Sequence, residues 1–194
     1  MKGILKGFGV CILLAILVGA FSLSAMAQAP KSRNFKINAL INMNNETYKP
    51  DDGKLKLNGY NILGGVGFFI NDMFEVGPEI SVGQSKTDFG DGDELTFSQW
   101  ALGVKANAHF NTDTQVIPYV GLNLAFASRK LEIFGDSTDD TAPLYGLQAG
   151  LDYFITEKVS VNPELRYTMG KFSFDGDDTD YSNLSFMVGF AVHL

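Results

Sequence analysis

Beyond residue 33 apolar and polar positions alternate with a period of two, and no long window shows the helical period. In MFEVGPEISVG, residues 73–83, Phe74, Val76, Pro78, Ile80 and Val82 share one face, and Glu75, Gly77, Glu79, Ser81 and Gly83 the other. Eight segments of this kind predict strands over residues 33–43, 57–70, 73–85, 95–110, 116–129, 143–155, 159–172 and 182–194. Most are longer than the usual globular strand of about five or six residues.

The connections alternate in length. Those after strands two, four and six are short: Asn71-Asp72, residues 111–115 and Thr156-Glu157-Lys158. Those after strands one, three, five and seven are longer and rich in Asp, Gly, Ser and Thr: NNETYKPDDGK, KTDFGDGDE, KLEIFGDSTDDTA and SFDGDDTDY. Short turns at one end and long loops at the other predict an up-and-down antiparallel sheet. A hairpin unit also repeats. Pro78, Pro118 and Pro163 each fall a few residues after a short turn, spaced by 118 − 78 = 40 and 163 − 118 = 45 residues. Proline cannot donate to a ladder, which predicts a bulge or a missing hydrogen bond at each.

Alternation fits two kinds of barrel. A soluble, lipocalin-like barrel puts apolar residues inside, whereas a transmembrane barrel turns them to lipid. The distribution along the apolar face decides. Aromatics favour strand ends and aliphatics the middle: Tyr60 and Phe68, Trp100 and Phe110, and Tyr145 and Tyr153 bracket their strands, and Phe74, Phe126, Tyr167, Phe186 and Phe190 complete two girdles. The polar face is scattered with glycine, which weakens an exposed strand but suits a narrow lumen filled by side chains. The expected fold is therefore all-β, an eight-stranded antiparallel up-and-down transmembrane β-barrel.

Residues 1–27 carry another signal. Lys2 and Lys6 precede an apolar run over residues 8–21, and Ala25-Met26-Ala27 follows, the pattern of a cleaved secretory signal peptide with 28–194 as the barrel domain. The run is too short to span about 30 Å of hydrocarbon comfortably. The exported chain would have 194 − 27 = 167 residues and a charge of (15 − 2) − 22 = −9. That acidity argues against nucleic acid as a partner. Cys11 lies in the leader, so the barrel has no disulfide or thiolate chemistry.

Two strands carry a family likeness. VIPYVGLNLAF (116–126) and VNPELRYTMG (161–170) resemble the Pro-Tyr-x-Gly and Pro-Glu-x-x-Tyr strands of the small bacterial outer-membrane β-barrel superfamily, which includes the opacity proteins and outer membrane proteins A (its barrel domain), X and W. NLSFMVGFAVHL at the C-terminus is similar to the signal read by the barrel-assembly machinery, with Leu194 in place of a terminal Phe or Trp. The resemblance implies residence in the outer membrane of a Gram-negative-type bacterium. Known members range from structural anchors and adhesins to porin-like channels.

Candidate chemistry follows from the inward face. Glu75, Glu79, Asp152 and Glu164 share the lumen with Lys36, Lys105, Arg129 and Arg166, and buried charges must be paired or solvated. In an eight-stranded barrel this predicts an ion-pair plug, the alternative being a polar path through a narrow porin-like channel. The acidic loop residues Asp88, Asp91, Asp93, Glu94, Asp136, Asp139, Asp140, Asp175, Asp177, Asp178 and Asp180 lack the full calcium-loop pattern and are read as solvated loop tips. Only His109 and His193 offer imidazoles, with no His-x-Ser or Gly-x-Ser-x-Gly element, so no catalytic residue, metal site or cofactor is expected. The expected protein is a non-enzymatic, monomeric structural or surface-interaction barrel. Its expected partners are outer-membrane lipid and lipopolysaccharide, with the assembly machinery during biogenesis.

Overall fold

The computed structural model describes residues 34–48, 55–88, 94–110, 114–133, 136–174 and 177–194. The signal-like stretch 1–27 and the loop acids Asp91, Asp93 and Asp175 lie outside them.

The alternating segments form strands β1 (Phe35–Tyr48), β2 (Leu55–Phe69), β3 (Phe74–Asp88), β4 (Glu94–His109), β5 (Val116–Ile133), β6 (Asp136–Phe154), β7 (Val159–Phe174) and β8 (Asp177–His193). Each pairs antiparallel with its sequence neighbours, and β1 pairs with β8 to close the barrel. Pairing is traced once around the wall through Ala191, Asn38, Gly65, Glu79, Gly103, Ala125, Leu144, Gly170 and Tyr181. The trace returns to β8 displaced by 191 − 181 = 10 residues. With about 3.3 Å per residue and about 4.8 Å between strands, a shear of that size over eight strands tilts them by about 40°.

The short turns are built by their own side chains. Asn71 Oδ1 accepts from the backbone N–H of Met73 and Phe74, both at 2.9 Å. Thr156 Oγ1 does the same for Lys158 and Val159 at 3.2 and 3.0 Å.

At the opposite end the structure corrects the sequence reading. β6 begins at Asp136 and β8 at Asp177, so Asp139, Asp140, Asp178 and Asp180 lie on paired strands and not at loop tips. The ladder places opposite charges face to face: Lys130 with Asp139, Arg129 with Asp140, and Lys171 with Asp180. Cross-strand pairs of this kind stabilise extended backbone that its turn-rich composition disfavours.

The prolines act by omission. β2 and β3 keep one register on either side of Pro78, yet the pairs that would join Val66 to Pro78 and Gly67 to Gly77 are missing. Likewise β6 and β7 lose the pairs at Asn162 and Pro163 and resume in the same register. Since the register does not slip, neither is a bulge. Pro118 sits where the β4–β5 ladder ends, accepting from Phe110 N–H at 2.8 Å without a donor to return.

Candidate functional site

Parity sorts the side chains. Phe74, Val76, Pro78, Ile80 and Val82 are exposed on the outer face, whereas Glu75, Gly77, Glu79 and Gly83 are buried inside. All the girdle aromatics point outward: Tyr60, Phe68, Phe74, Trp100, Phe110, Phe126, Tyr145, Tyr167, Phe186 and Phe190 are exposed, and Tyr153 is half-buried. Trp100, Phe126, Tyr145, Tyr167 and Phe186 occur on successive strands, each two residues from the position paired with its predecessor. The shift is always toward the short-turn end, as a belt crossing tilted strands requires. Between the girdles Leu102, Val104, Leu122, Leu124 and Leu147 are more than half exposed, a continuous apolar wall that only lipid can cover.

All eight charged residues of the inward face, Lys36, Glu75, Glu79, Lys105, Arg129, Asp152, Glu164 and Arg166, are buried, four cations against four carboxylates. They divide into tiers along the barrel axis.

The tier nearest the short turns centres on Glu75, which is fully buried. Its carboxylate meets Lys36 Nζ at 3.2 Å, Lys105 Nζ at 2.8 Å and His109 Nε2 at 2.8 Å, and accepts from Asn107 Nδ2 at 3.2 Å. Lys36 also donates to Asp152 Oδ1 at 3.3 Å, tying β1 to β3 and β6 across the lumen. Asp152 takes a further hydrogen bond from Asn162 Nδ2, and Lys105 donates to Asn38 Oδ1 at 2.9 Å. A carboxylate can only accept, so the 2.8 Å contact is a hydrogen bond donated by Nε2 of His109 to Glu75, while Nδ1 stands 3.6 Å from Asp152 Oδ2. Lys36 and Lys105 thus face Glu75 and Asp152, two lysines against two carboxylates.

Glycine makes room for this tier. A Cβ on Gly67 would come within 1.8 Å of Glu75 Oε1, and one on Gly121 within 2.0 Å of Asn107 Oδ1.

The middle tier is a fork. Arg166 bonds Glu79 through Nη1 at 2.8 Å and Nη2 at 3.1 Å, while its Nε donates to Glu164 at 2.9 Å. Two parallel bonds to one carboxylate fix both position and orientation. Tyr119 reaches from β5 to donate to Glu164 at 2.8 Å. Amides link the tiers: Asn123 donates to Gln148 at 3.2 Å and Gln148 to Asn107 at 2.6 Å.

In the outermost tier Arg129 donates to Gln99 Oε1 at 3.1 and 3.0 Å and lies 4.0 Å from the Tyr181 ring centre and 5.0 Å from that of Phe172. Between this tier and the Arg166 fork lies a polar cavity of about 60 Å³, lined among others by Asn61, Ser81, Gln99, Asn123, Thr168, Asn183 and Ser185.

Ser160 Oγ and His193 Nε2 share a hydrogen bond at 2.9 Å. A hydroxyl–imidazole pair is the beginning of a nucleophile–base unit. Here Ser160 is fully buried and the His193 ring packs 4.6 Å from that of Phe154, so no substrate can reach the oxygen.

The inward face is less polar than the sequence reading assigned. Leu40, Leu63 and Met187 form one buried cluster inside the lumen, and Ala127, Ala142 and Phe172 form another. Tyr119, Asn107, His109 and Gln148 are structural members of the charge network beyond the eight charged residues. Strand parity carried the signal for all of these: Leu40 is in phase with Lys36 and Asn38, Tyr119 with Gly121, and Phe172 with Arg166.

Comparison with known proteins fits this geometry. The sequence model of the "Outer membrane protein beta-barrel domain" family matches residues 13–191. No curated protein matches. Neisserial surface protein A is 18% identical, covering 84% of this chain and 99% of its own, with a TM-score of 0.62. The outer membrane protein OprG of Pseudomonas aeruginosa is 15% identical, covering 87% and 99%, with a TM-score of 0.54. At these identities the likeness is one of fold.

Proposed function

The chain belongs to the outer membrane protein β-barrel domain family, and from that premise we propose that it is a non-enzymatic integral barrel whose lumen is sealed by its own side chains, serving a structural or surface-interaction role. Family membership carries outer-membrane residence with it. In the same proposal residues 1–27 are the cleaved export signal, and the barrel is a monomer facing lipid and lipopolysaccharide after insertion by the assembly machinery.

The observation that carries the reading is the cross-lumen network. Lys36, Glu75 and Asp152 join three strands from opposite parts of the wall, and Arg166 bridges β7 to Glu79 on β3. An eight-stranded barrel has an interior only wide enough for side chains to fill. Here the filling residues neutralise one another with little exposed surface, so hydrated ions find no path between them.

Planar-bilayer recording of the refolded protein tests this. The native barrel is expected to show no discrete conductance steps. Steps in the native protein that change on Glu79→Ala or Arg166→Ala overturn the sealed-lumen reading in favour of a narrow channel.

A further inference from the structure

The cavity on the long-loop side of the Arg166 fork is lined by residues of every strand from β2 to β8, which places it along the barrel axis. At about 10–15 Å³ per water, its volume of about 60 Å³ has room for about four to six water-sized groups.

Two amides of its lining converge beside Gly83. Arg129 donates twice to Gln99 Oε1, at 3.1 and 3.0 Å, which identifies the other end of that amide, Nε2, as its donor. Asn61 Oδ1 is buried and has no hydrogen-bond partner, so it carries an unmet desolvation penalty. A Cβ on Gly83 would lie 3.2 Å from Asn61 Oδ1 and 3.2 Å from Gln99 Nε2. Donor and acceptor are therefore at most 3.2 + 3.2 = 6.4 Å apart, across space that a glycine leaves open. A hydroxyl at about 2.9 Å from each accepts from one and donates to the other.

The rest of the wall has two characters. Ser81, Thr168 and Ser185 bring hydroxyls, whereas Leu63, Ala125, Leu144 and Met187 bring carbon. Water suits the first set but is poor company for the second. A molecule that carries both O–H and C–H groups suits both. The charged groups in the lining, Glu79 and Arg166, are joined by two hydrogen bonds of 2.8 and 3.1 Å, so the site asks for no charge.

We propose that this cavity is a binding site for a small neutral polyol of the size of glycerol. One hydroxyl bridges Gln99 Nε2 to Asn61 Oδ1, and the C–H groups meet the apolar part of the wall. The Arg166 fork lies on the short-turn side of the cavity, so the site is a pocket and not a path. It goes beyond the sealed-lumen reading and leaves the conductance expected above unchanged.

The test titrates glycerol into the isotope-labelled, refolded full barrel in phosphatidylcholine nanodiscs and follows amide resonances by NMR, with sucrose as a polyol too large to enter. The Gly83 N–H and the Gln99 side-chain amide should shift and saturate with glycerol, half-maximally below about 10 mM, an affinity well within what a ligand of this size can supply. Sucrose should leave both in place. Asn61→Val and Gly83→Ala, each in a barrel that still migrates as a folded species on unheated gels, should raise the half-saturating concentration at least about five-fold, as the loss of a buried hydrogen bond predicts. Gly64→Ala, where an added Cβ meets nothing within 4 Å, should leave it unchanged. Shifts that never saturate, equal shifts with sucrose, or saturation that survives Asn61→Val overturn the site and leave the cavity to water alone.

Discussion

Glu75→Gln is the most informative single change. It keeps the shape of the side chain and removes the carboxylate shared by Lys36 and Lys105 at 3.2 and 2.8 Å. Asp152 is then the one acid left in the tier against two buried ammonium groups. At an effective dielectric constant of about 20, each lost contact is about 5 kcal/mol of attraction. The burial cost of the carboxylate itself is recovered, which offsets much of that. Breaking a buried pair by removing one partner generally costs about 3–5 kcal/mol, and that is the destabilisation expected here. Adding Lys105→Met removes the stranded cation and should restore at least half of the loss, although the 2.9 Å bond to Asn38 goes with it. The assay is urea unfolding in lipid vesicles, followed by gel mobility without heating and by emission of Trp100, the only tryptophan. A loss below about 1 kcal/mol for Glu75→Gln would mean that water already screens this tier, well short of the buried-pair cost. That result, or a double variant no more stable than the single, would refute the sealed-lumen argument.

Other outcomes follow from the same geometry. Gly67→Val places a side chain where Glu75 Oε1 now lies and should destabilise by at least about 2 kcal/mol in the same unfolding assay, with Gly64→Val, whose added Cβ would meet nothing within 4 Å, as the tolerated control. Pro163→Ala supplies a donor where the β6–β7 ladder has a gap; a gained hydrogen bond and lost chain stiffness nearly cancel, so the change should stay within about 1 kcal/mol, and a larger loss would show that the proline ring itself packs against a neighbour. Trp100 should be quenched more by lipids brominated near the headgroup than by lipids brominated near the chain end, and the reverse order would remove it from the girdle.

Much of the site was legible because strand parity is local. Once Glu75 and Glu79 share a face, the alternation of Cβ directions fixes which residues of β3 meet lipid and which meet the lumen. What parity could not supply is partnership. Lys36 and Asp152 are 116 residues apart and meet because β1 and β6 face each other across the lumen. The acidic stretch at 136–140 was misread for a related reason. Its composition is that of a loop, but its strand is held by Arg129 and Lys130 on the neighbouring strand, which no local window contains. The inward apolar clusters were overlooked because the face was judged by its charges, though Leu40 and Phe172 stand in phase with them.

The sequence alone determined the number of strands, their antiparallel order and the two faces of each, since all three rest on period-two alternation and connection length. Tertiary structure decided the rest. The ten-residue shear selects which lumen charges meet, the constant register around Pro78 and Pro163 decides between a bulge and a missing hydrogen bond in favour of the latter, and the β1–β8 ladder from Lys36–His193 to Ile41–Val188 closes the ring. Register and closure are properties of the whole ring: moving one strand by two residues would preserve every inward and outward assignment and change every partner.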